Sequence, residues 1–241
     1  MNKSIQWVFI AVAILSCDLL QAQTANSLLF PKDKFTLEAQ KVKTTMGDVE
    51  VTYRAYIHIP YVANPIDKDY QSLNVFVPTK IDDKDYDASN APIIFDIAMG
   101  GYMSVNNAEM GEGNQAKLSY RANLALAAGC VVVSPGCRGR DNRTPSGIYY
   151  GKSPAVIVDL KAAVRYIRFN KGVIPGNVDW IISVGCSAGG AVSALLGASG
   201  NSPLYDSYLN SIGAANASDN IFASACYSPI TDLEHADMAY E

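Results

Sequence analysis

The chain has 241 residues, a length that fits one large α/β domain or part of a larger one. Hydrophobic residues make up 49% of it, enough for a full core, and charged residues make up 17%. The net charge is −4, and no basic run occurs beyond the extreme N-terminus, which argues against nucleic acid as a partner.

Residues 1–22 are predicted to be an export signal peptide, because a basic start is followed by an apolar run and then by small residues. The apolar run, residues 5–15, is too short to span a membrane as a helix. Two cleavage sites remain open, and simple export is favoured. Cleavage after Ala22 leaves a mature chain 23–241, whereas cleavage before Cys17 would give a lipoprotein with a lipid anchor. The protein is therefore expected to be exported, periplasmic or extracellular.

The first part of the mature chain reads as β-structure. Residues 35–56 alternate polar and apolar positions around turn residues 46–48, which predicts a β-hairpin. Residues 72–77 are predicted to be a further strand and residues 81–90 an acidic, polar loop. The run 92–98 (PIIFDIA) is typical of a buried strand, and a glycine turn, Gly100-Gly101-Tyr102, follows it.

The next part alternates helices with strands, which predicts a mostly parallel sheet from residue 92 onward. Residues 116–128 are helical in composition and residues 130–134 (CVVVS) form a buried strand. The loop 135–143 is basic and glycine-rich; it could orient substrate or brace a catalytic turn, or its arginines could simply pair with its aspartate. Residues 154–170 predict an amphipathic helix, whose basic face we expect to be solvated: Lys161, Arg165 and Arg168.

The sequence 178–190 carries the strongest signal. The apolar, β-branched run 180–184 ends at Gly185-Cys186-Ser187-Ala188-Gly189, and a small-residue helix, residues 190–198, follows. A strand, then Gly-x-Ser-x-Gly, then a helix is the nucleophile elbow of α/β-hydrolases. Gly185 and Gly189 are expected there because side chains at these positions would collide with neighbouring backbone.

This motif makes Ser187 the candidate nucleophile and defines an oxyanion hole. The N–H of Ala188, at the start of the helix, should point to where an oxyanion forms. The second donor in this fold comes from the loop after the third strand, where Gly101 stands. The expected fold is thus α/β, an α/β-hydrolase with helices on both faces of its sheet.

Four cysteines follow the signal peptide, and their spacing matches no zinc pattern: Cys130, Cys137, Cys186 and Cys226. We expect Cys130, Cys186 and Cys226 to be buried thiols in or beside core strands, the last of them in a strand at 221–227. The sequence implies neither a metal nor an organic cofactor.

Several stretches resemble bacterial tannases and their close esterase relatives: residues 53–77, 100–103, 134–142, 155–170, the GCSAGG elbow and 227–241. The resemblance runs in order over nearly the whole mature chain. It implies an α/β-hydrolase with a cap domain that cleaves esters of gallic or related phenolic acids, with Ser187 as nucleophile and Gly101 and Ala188 as oxyanion hole. It also implies that the cap and the catalytic aspartate and histidine come after the strand that ends near residue 230.

A serine hydroxyl needs a base to take its proton. The sequence has two histidines, His58 in the hairpin region and His235 after the last strand; Asp232 and His235, three residues apart, can hardly converge as a triad. We therefore expect an N-terminal part of a longer enzyme, or a degenerate copy, that lacks the cap and the last strands and is nearly inactive. The alternatives are a feruloyl or general carboxylesterase, and a non-catalytic binding protein that keeps a hydrolase core.

Overall fold

A computed structural model describes residues 27–107 and 118–230. Its centre is an eight-stranded mixed sheet in the order β1-β2-β3-β6-β5-β7-β8, with β4 paired to β3. The strands are β1 (Thr36–Thr44), β2 (Gly47–Pro60), β3 (Ser72–Ile81), β4 (Lys84–Asp85), β5 (Pro92–Ile97), β6 (Val131–Pro135), β7 (Asn177–Cys186) and β8 (Ala223–Tyr227).

The first strands are antiparallel, as the alternating pattern predicted. β1 and β2 form the expected hairpin, closed by the pair Thr44 and Gly47, and β3 runs antiparallel to both β2 and β6. The predicted loop 81–90 differs in one respect, because it contains the two-residue strand β4.

The strands β6, β5, β7 and β8 are parallel to one another. Helices follow or precede them: α1 (Tyr120–Ala127), α2 (Ala155–Phe169), α3 (Ala188–Ala198), a 3₁₀ turn (Pro203–Tyr205) and α4 (Asp206–Ser211). Because parallel strands point the same way, the carboxyl ends of these four strands lie at one edge of the sheet. The alternation predicted from residue 92 onward is confirmed.

Two apolar layers cover the two faces of the sheet. Val131 and Val133 belong to the larger core with α2 and α3, whereas Val132 packs with Ala122 and Leu126 of α1. Side chains of successive strand residues point to opposite faces, so α1 lies on one face and α2 and α3 on the other. This arrangement confirms the α/β-hydrolase architecture.

The prediction of a solvated basic face on α2 was wrong. Lys161 is completely buried, and its Nζ donates to Asp219 Oδ1 at 2.7 Å and to the carbonyl oxygen of Ser199 at 2.6 Å. Arg165 Nε donates to the other oxygen of Asp219 at 2.7 Å, and Arg168, also largely buried, pairs with Asp179. The segment that carries Asp219 folds over this face, which local periodicity could not reveal.

Within the described residues, no helix combines the length and apolar character that crossing a membrane requires. The expected signal peptide and Cys17 lie outside the described residues, as does the start of the helix predicted at 116–128.

Candidate active site

Ser187 lies at a sharp bend between β7 and α3. Its φ of 58° and ψ of −123° place a residue with a side chain in a region that such residues rarely adopt. Its N–H donates to the carbonyl oxygen of Tyr227, at the end of β8, at 2.9 Å, while the side chain is exposed. The backbone is therefore held in a strained conformation that presents the hydroxyl to solvent.

Close backbone contacts explain the two glycines of the elbow. A Cβ added at Gly185 would overlap the carbonyl group of Gly189. A Cβ at Gly189 would lie 2.9 Å from the carbonyl oxygen of Ile97 and 3.0 Å from that of Met99. Because those atoms are backbone, they cannot rotate away as a side chain would, so only glycine lets α3 start so close to β5 and β7.

Two backbone segments lie with Ser187 at this edge of the sheet, the start of α3 and the turn after β5. Ala188 is the first residue of α3, so its N–H has no partner within the helix and lies at the positive end of the helix dipole. The second segment is the turn 100–103, in which the N–H of Met103 donates to the carbonyl oxygen of Gly100 at 3.0 Å. Both central residues of this turn, Gly101 and Tyr102, have a φ of 57°.

The turn lies next to the elbow because of the sheet register. Ile97, the last residue of β5, pairs with Gly185 of β7, and Met99 contacts the position of Gly189. The turn starts at the following residue, Gly100. Ser187, Ala188 and Gly101 are therefore brought to one edge of the sheet, although more than 80 residues separate Gly101 from Ser187 along the chain.

The glycine-rich loop after β6 is hydrogen-bonded to this turn. Arg140 Nε donates to the carbonyl oxygen of Gly101 at 2.8 Å, and the Arg140 N–H donates to that of Tyr102 at 2.9 Å. The neighbouring Asp141 accepts hydrogen bonds from the N–H and the hydroxyl of Ser104. Burial acts to raise the pKa of the Asp141 carboxyl, but these hydrogen bonds outweigh the effect of burial, so the pKa is lowered. Sequence reasoning left this loop undecided, and no local signal linked Arg140 to Gly101.

Arg138, in the same loop, forms the Arg–Asp pair that the sequence left open, but with an aspartate of α2. Its Nη2 lies 2.7 Å from Asp159 Oδ1, and both side chains are almost completely buried. The loop is thereby anchored to the buried side of α2.

No histidine among the described residues lies near Ser187. His58 is on β2, where its N–H donates to Asn74 Oδ1 and its Nδ1 lies 3.3 Å from Ser72 Oγ. In the order β2-β3-β6-β5-β7, four strand spacings of about 4.8 Å separate β2 from β7, a distance of about 19 Å. His235 and Asp232 lie outside the described residues.

The four cysteines following the predicted signal peptide are free thiols, and they differ in exposure. Cys137 is buried, and burial raises the pKa of its thiol well above the ordinary value. Cys130 and Cys226 are half-buried. The expectation that Cys186 is buried was wrong, because it is the last residue of β7 and turns outward beside Ser187.

Comparison with known proteins gives strong matches. The BD-FAE family matches residues 80–240. The structure of Fusobacterium nucleatum tannase superposes with a TM-score of 0.77 at 47% identity, covering 88% of this chain and 44% of that chain. The tannase from Lactobacillus plantarum superposes with a TM-score of 0.75 at 39% identity, covering 90% of this chain and 46% of that one.

Two proteins of Mycobacterium tuberculosis also match. Esterase LipC is 30% identical over 126 residues, which cover 52% of this chain and 28% of LipC. Esterase LipQ is 34% identical over 99 residues, covering 39% of this chain and 22% of LipQ. The chain thus spans less than half the length of these tannases and less than a third of these esterases. Since the family match extends over more than half of the chain and the fold is shared with tannases, the chain belongs to the BD-FAE family and is an α/β-hydrolase similar to bacterial tannases.

Proposed function

We propose that the protein is a serine carboxylic-ester hydrolase of the tannase type, which cleaves esters of gallic or related phenolic acids. The observation that carries the proposal is the exposed Ser187 at a strained elbow, beside a glycine turn, in a chain 47% identical to a tannase. Related tannin acyl hydrolases are known in complex with ethyl gallate and with 3,4-dihydroxybenzoate, which supports the phenolic class of substrate.

The proposed mechanism is acyl transfer in two steps. The hydroxyl oxygen of Ser187 attacks the ester carbonyl carbon while a base takes its proton. The N–H groups of Ala188 and Gly101 donate to the oxyanion of the tetrahedral intermediate. The alcohol then leaves with the proton, and water releases the acid from the acyl-serine by the same route. No metal or organic cofactor takes part in this mechanism.

We also propose that the base and its acid partner come from outside the described residues. The position of His58, about 19 Å away by strand spacing, argues against its acting on Ser187. Assays of the proposal are therefore made on the full-length protein.

The proposal is tested by three forms of the full-length protein: wild type, Ser187→Ala and a control, Ser211→Ala, whose exposed hydroxyl donates to the carbonyl oxygen of Tyr208 in its own helix. We expect wild type and the control to hydrolyse methyl gallate and to be labelled by a fluorophosphonate probe. Ser187→Ala should lose both properties. A folded wild-type protein that takes up no label would refute the serine mechanism and favour a binding protein with a hydrolase core.

A feruloyl or general carboxylesterase is the second candidate, favoured by the BD-FAE match and by the similarity to LipC and LipQ. Rates for methyl gallate, methyl ferulate and a short acyl ester separate the possibilities. Hydrolysis of the short ester without methyl gallate would reject the phenolic assignment.

We further propose that the protein is exported, on the basis of residues 1–22. Fractionation of expressing cells tests this proposal. A protein found in the cytoplasm with residues 1–22 still attached would contradict it.

A further inference from the structure

In the turn that carries Gly101, Tyr102 packs against the core, but the two glycines before it have little packing of their own. A Cβ added at Gly100 would meet nothing within 4 Å, and one at Gly101 would meet only Met103 Cγ at 3.9 Å. Glycine backbone can rotate through a wide range of φ and ψ. Hydrogen bonds therefore contribute to the orientation of the peptide planes on either side of Gly101.

One of these planes is fixed within the turn and the other from outside it. The N–H of Met103 holds the carbonyl group of Gly100, and with it the plane that contains the Gly101 N–H. The next plane, between Gly101 and Tyr102, is held through its carbonyl oxygen by Arg140 Nε at 2.8 Å. Because a trans peptide is planar, holding the carbonyl oxygen orients the whole group.

Arg140 is itself firmly placed. Before it in the chain, Arg138 donates hydrogen bonds from its backbone N–H and from two guanidinium nitrogens to the buried Asp159. After it, Asp141 accepts two hydrogen bonds from Ser104. Arg140 thus belongs to a loop that is anchored on both sides of it, and its side chain reaches across to the glycine carbonyl of the turn.

We propose that Arg140 is a positioning residue for the oxyanion hole, acting through the carbonyl group of Gly101. The inference rests on the proposed ester hydrolysis for its catalytic consequence, but the hold on the turn is a property of the fold. When the hold is lost, the peptide plane after Gly101 can rotate, and the direction of the Gly101 N–H is then supported only by the bond of the Met103 N–H to the carbonyl oxygen of Gly100. Such a loss lowers kcat more than it raises KM, because the oxyanion exists only during reaction.

The test uses the full-length protein with Arg140→Met, which removes donor and charge, and Arg140→Lys, which keeps both in a different shape. Arg143→Met is the matched control, because this exposed arginine of the same loop has no side-chain hydrogen bond or ion pair with a described residue. The readouts are kcat and KM for methyl gallate, and hydrogen exchange of the amides in the turn 100–103.

Removing an oxyanion donor outright costs about 10²- to 10³-fold in kcat, so misplacing one should cost less, about 10-fold. We expect this fall in Arg140→Met with KM within about twofold of wild type. Exchange in the turn should be faster, Arg140→Lys should recover part of both effects, and Arg143→Met should match wild type.

Three outcomes would overturn the inference: unchanged exchange in the turn, unchanged kcat, or a raised KM at unchanged kcat, which would make Arg140 a substrate-binding group. A wild-type protein without any esterase activity would instead defeat the proposed function. Exchange alone would then decide the inference, with faster exchange in Arg140→Met supporting it and unchanged exchange rejecting it.

Discussion

The buried pair of Arg138 and Asp159 allows a quantitative prediction for Asp159→Asn. Asp159 is completely buried and accepts four hydrogen bonds: from the N–H, Nε and Nη2 of Arg138 at 2.9, 2.9 and 2.7 Å, and from Gln71 Nε2 at 2.9 Å. Asparagine keeps the shape of the side chain but offers only one acceptor oxygen and turns an NH₂ group toward these donors. The guanidinium group would then be buried without a counter-charge.

Breaking a buried pair in this way costs about 3–5 kcal/mol of the free energy of unfolding, out of a total of about 5–15 kcal/mol. For a domain of this size, each kcal/mol lowers Tm by about 2–4 °C, so Asp159→Asn should lower Tm by about 6–20 °C. Thermal unfolding of the full-length protein, followed by circular dichroism, measures the shift.

Asp179→Asn is the matched control, because Asp179 also pairs with an arginine and a lysine but its side chain is 56% exposed. Solvent screens such a pair, so we expect little change in Tm. The double variant Arg138→Met with Asp159→Leu should regain most of the lost stability, since it removes both charges together. The reasoning is refuted if Asp159→Asn unfolds within about 2 °C of Asp179→Asn.

Three further predictions concern the elbow, the thiols and a tyrosine. Gly189→Ala places a methyl group 2.9 and 3.0 Å from backbone oxygens at the end of β5 and just after it, and should lower kcat for ester hydrolysis about 100-fold. Gly197→Ala, in the same helix, meets the hydroxyl of Ser224 instead, a side-chain atom that can rotate away at the cost of its hydrogen bond to the carbonyl oxygen of Ser193, and should nearly retain kcat. Equal rates for the two variants would contradict the steric argument. Iodoacetamide at pH 8 should alkylate the exposed Cys186 and spare Cys137, because burial raises the pKa of the Cys137 thiol and keeps its thiolate scarce. Mass spectrometry of digests measures the order of alkylation, and faster labelling of Cys137 would contradict the prediction. The hydrogen bond of Tyr150 to Asp67 raises the pKa of the tyrosine from 10.0 to about 12. This bond therefore stabilises the fold fully up to about pH 10 and progressively less as the pH rises toward 12. The Tm of Tyr150→Phe should fall less than that of wild type between pH 9 and 11, and equal falls would argue against this shift.

The comparison of sequence and structure shows where local patterns suffice. The hairpin of β1 and β2, the buried strands β5 and β6 and the helix α2 were predicted within a few residues, because alternation and helical periodicity are written in neighbouring residues. The prediction of solvation for Lys161 failed for a related reason. Periodicity shows that a face is polar, but it does not show that Asp219, 58 residues later, will cover that face.

The sequence by itself determined the strand, bend and helix around Ser187, since steric crowding between glycines four residues apart is a local property of the chain. The place of Gly101 near this bend was expected from the motif, but only the tertiary structure decided that Arg140 meets Gly101. Their meeting depends on the register of β5 against β7 and on a buried ion pair that anchors the loop after β6. Contacts of this kind form between residues far apart in the chain, so their geometry exists only after the sheet has assembled.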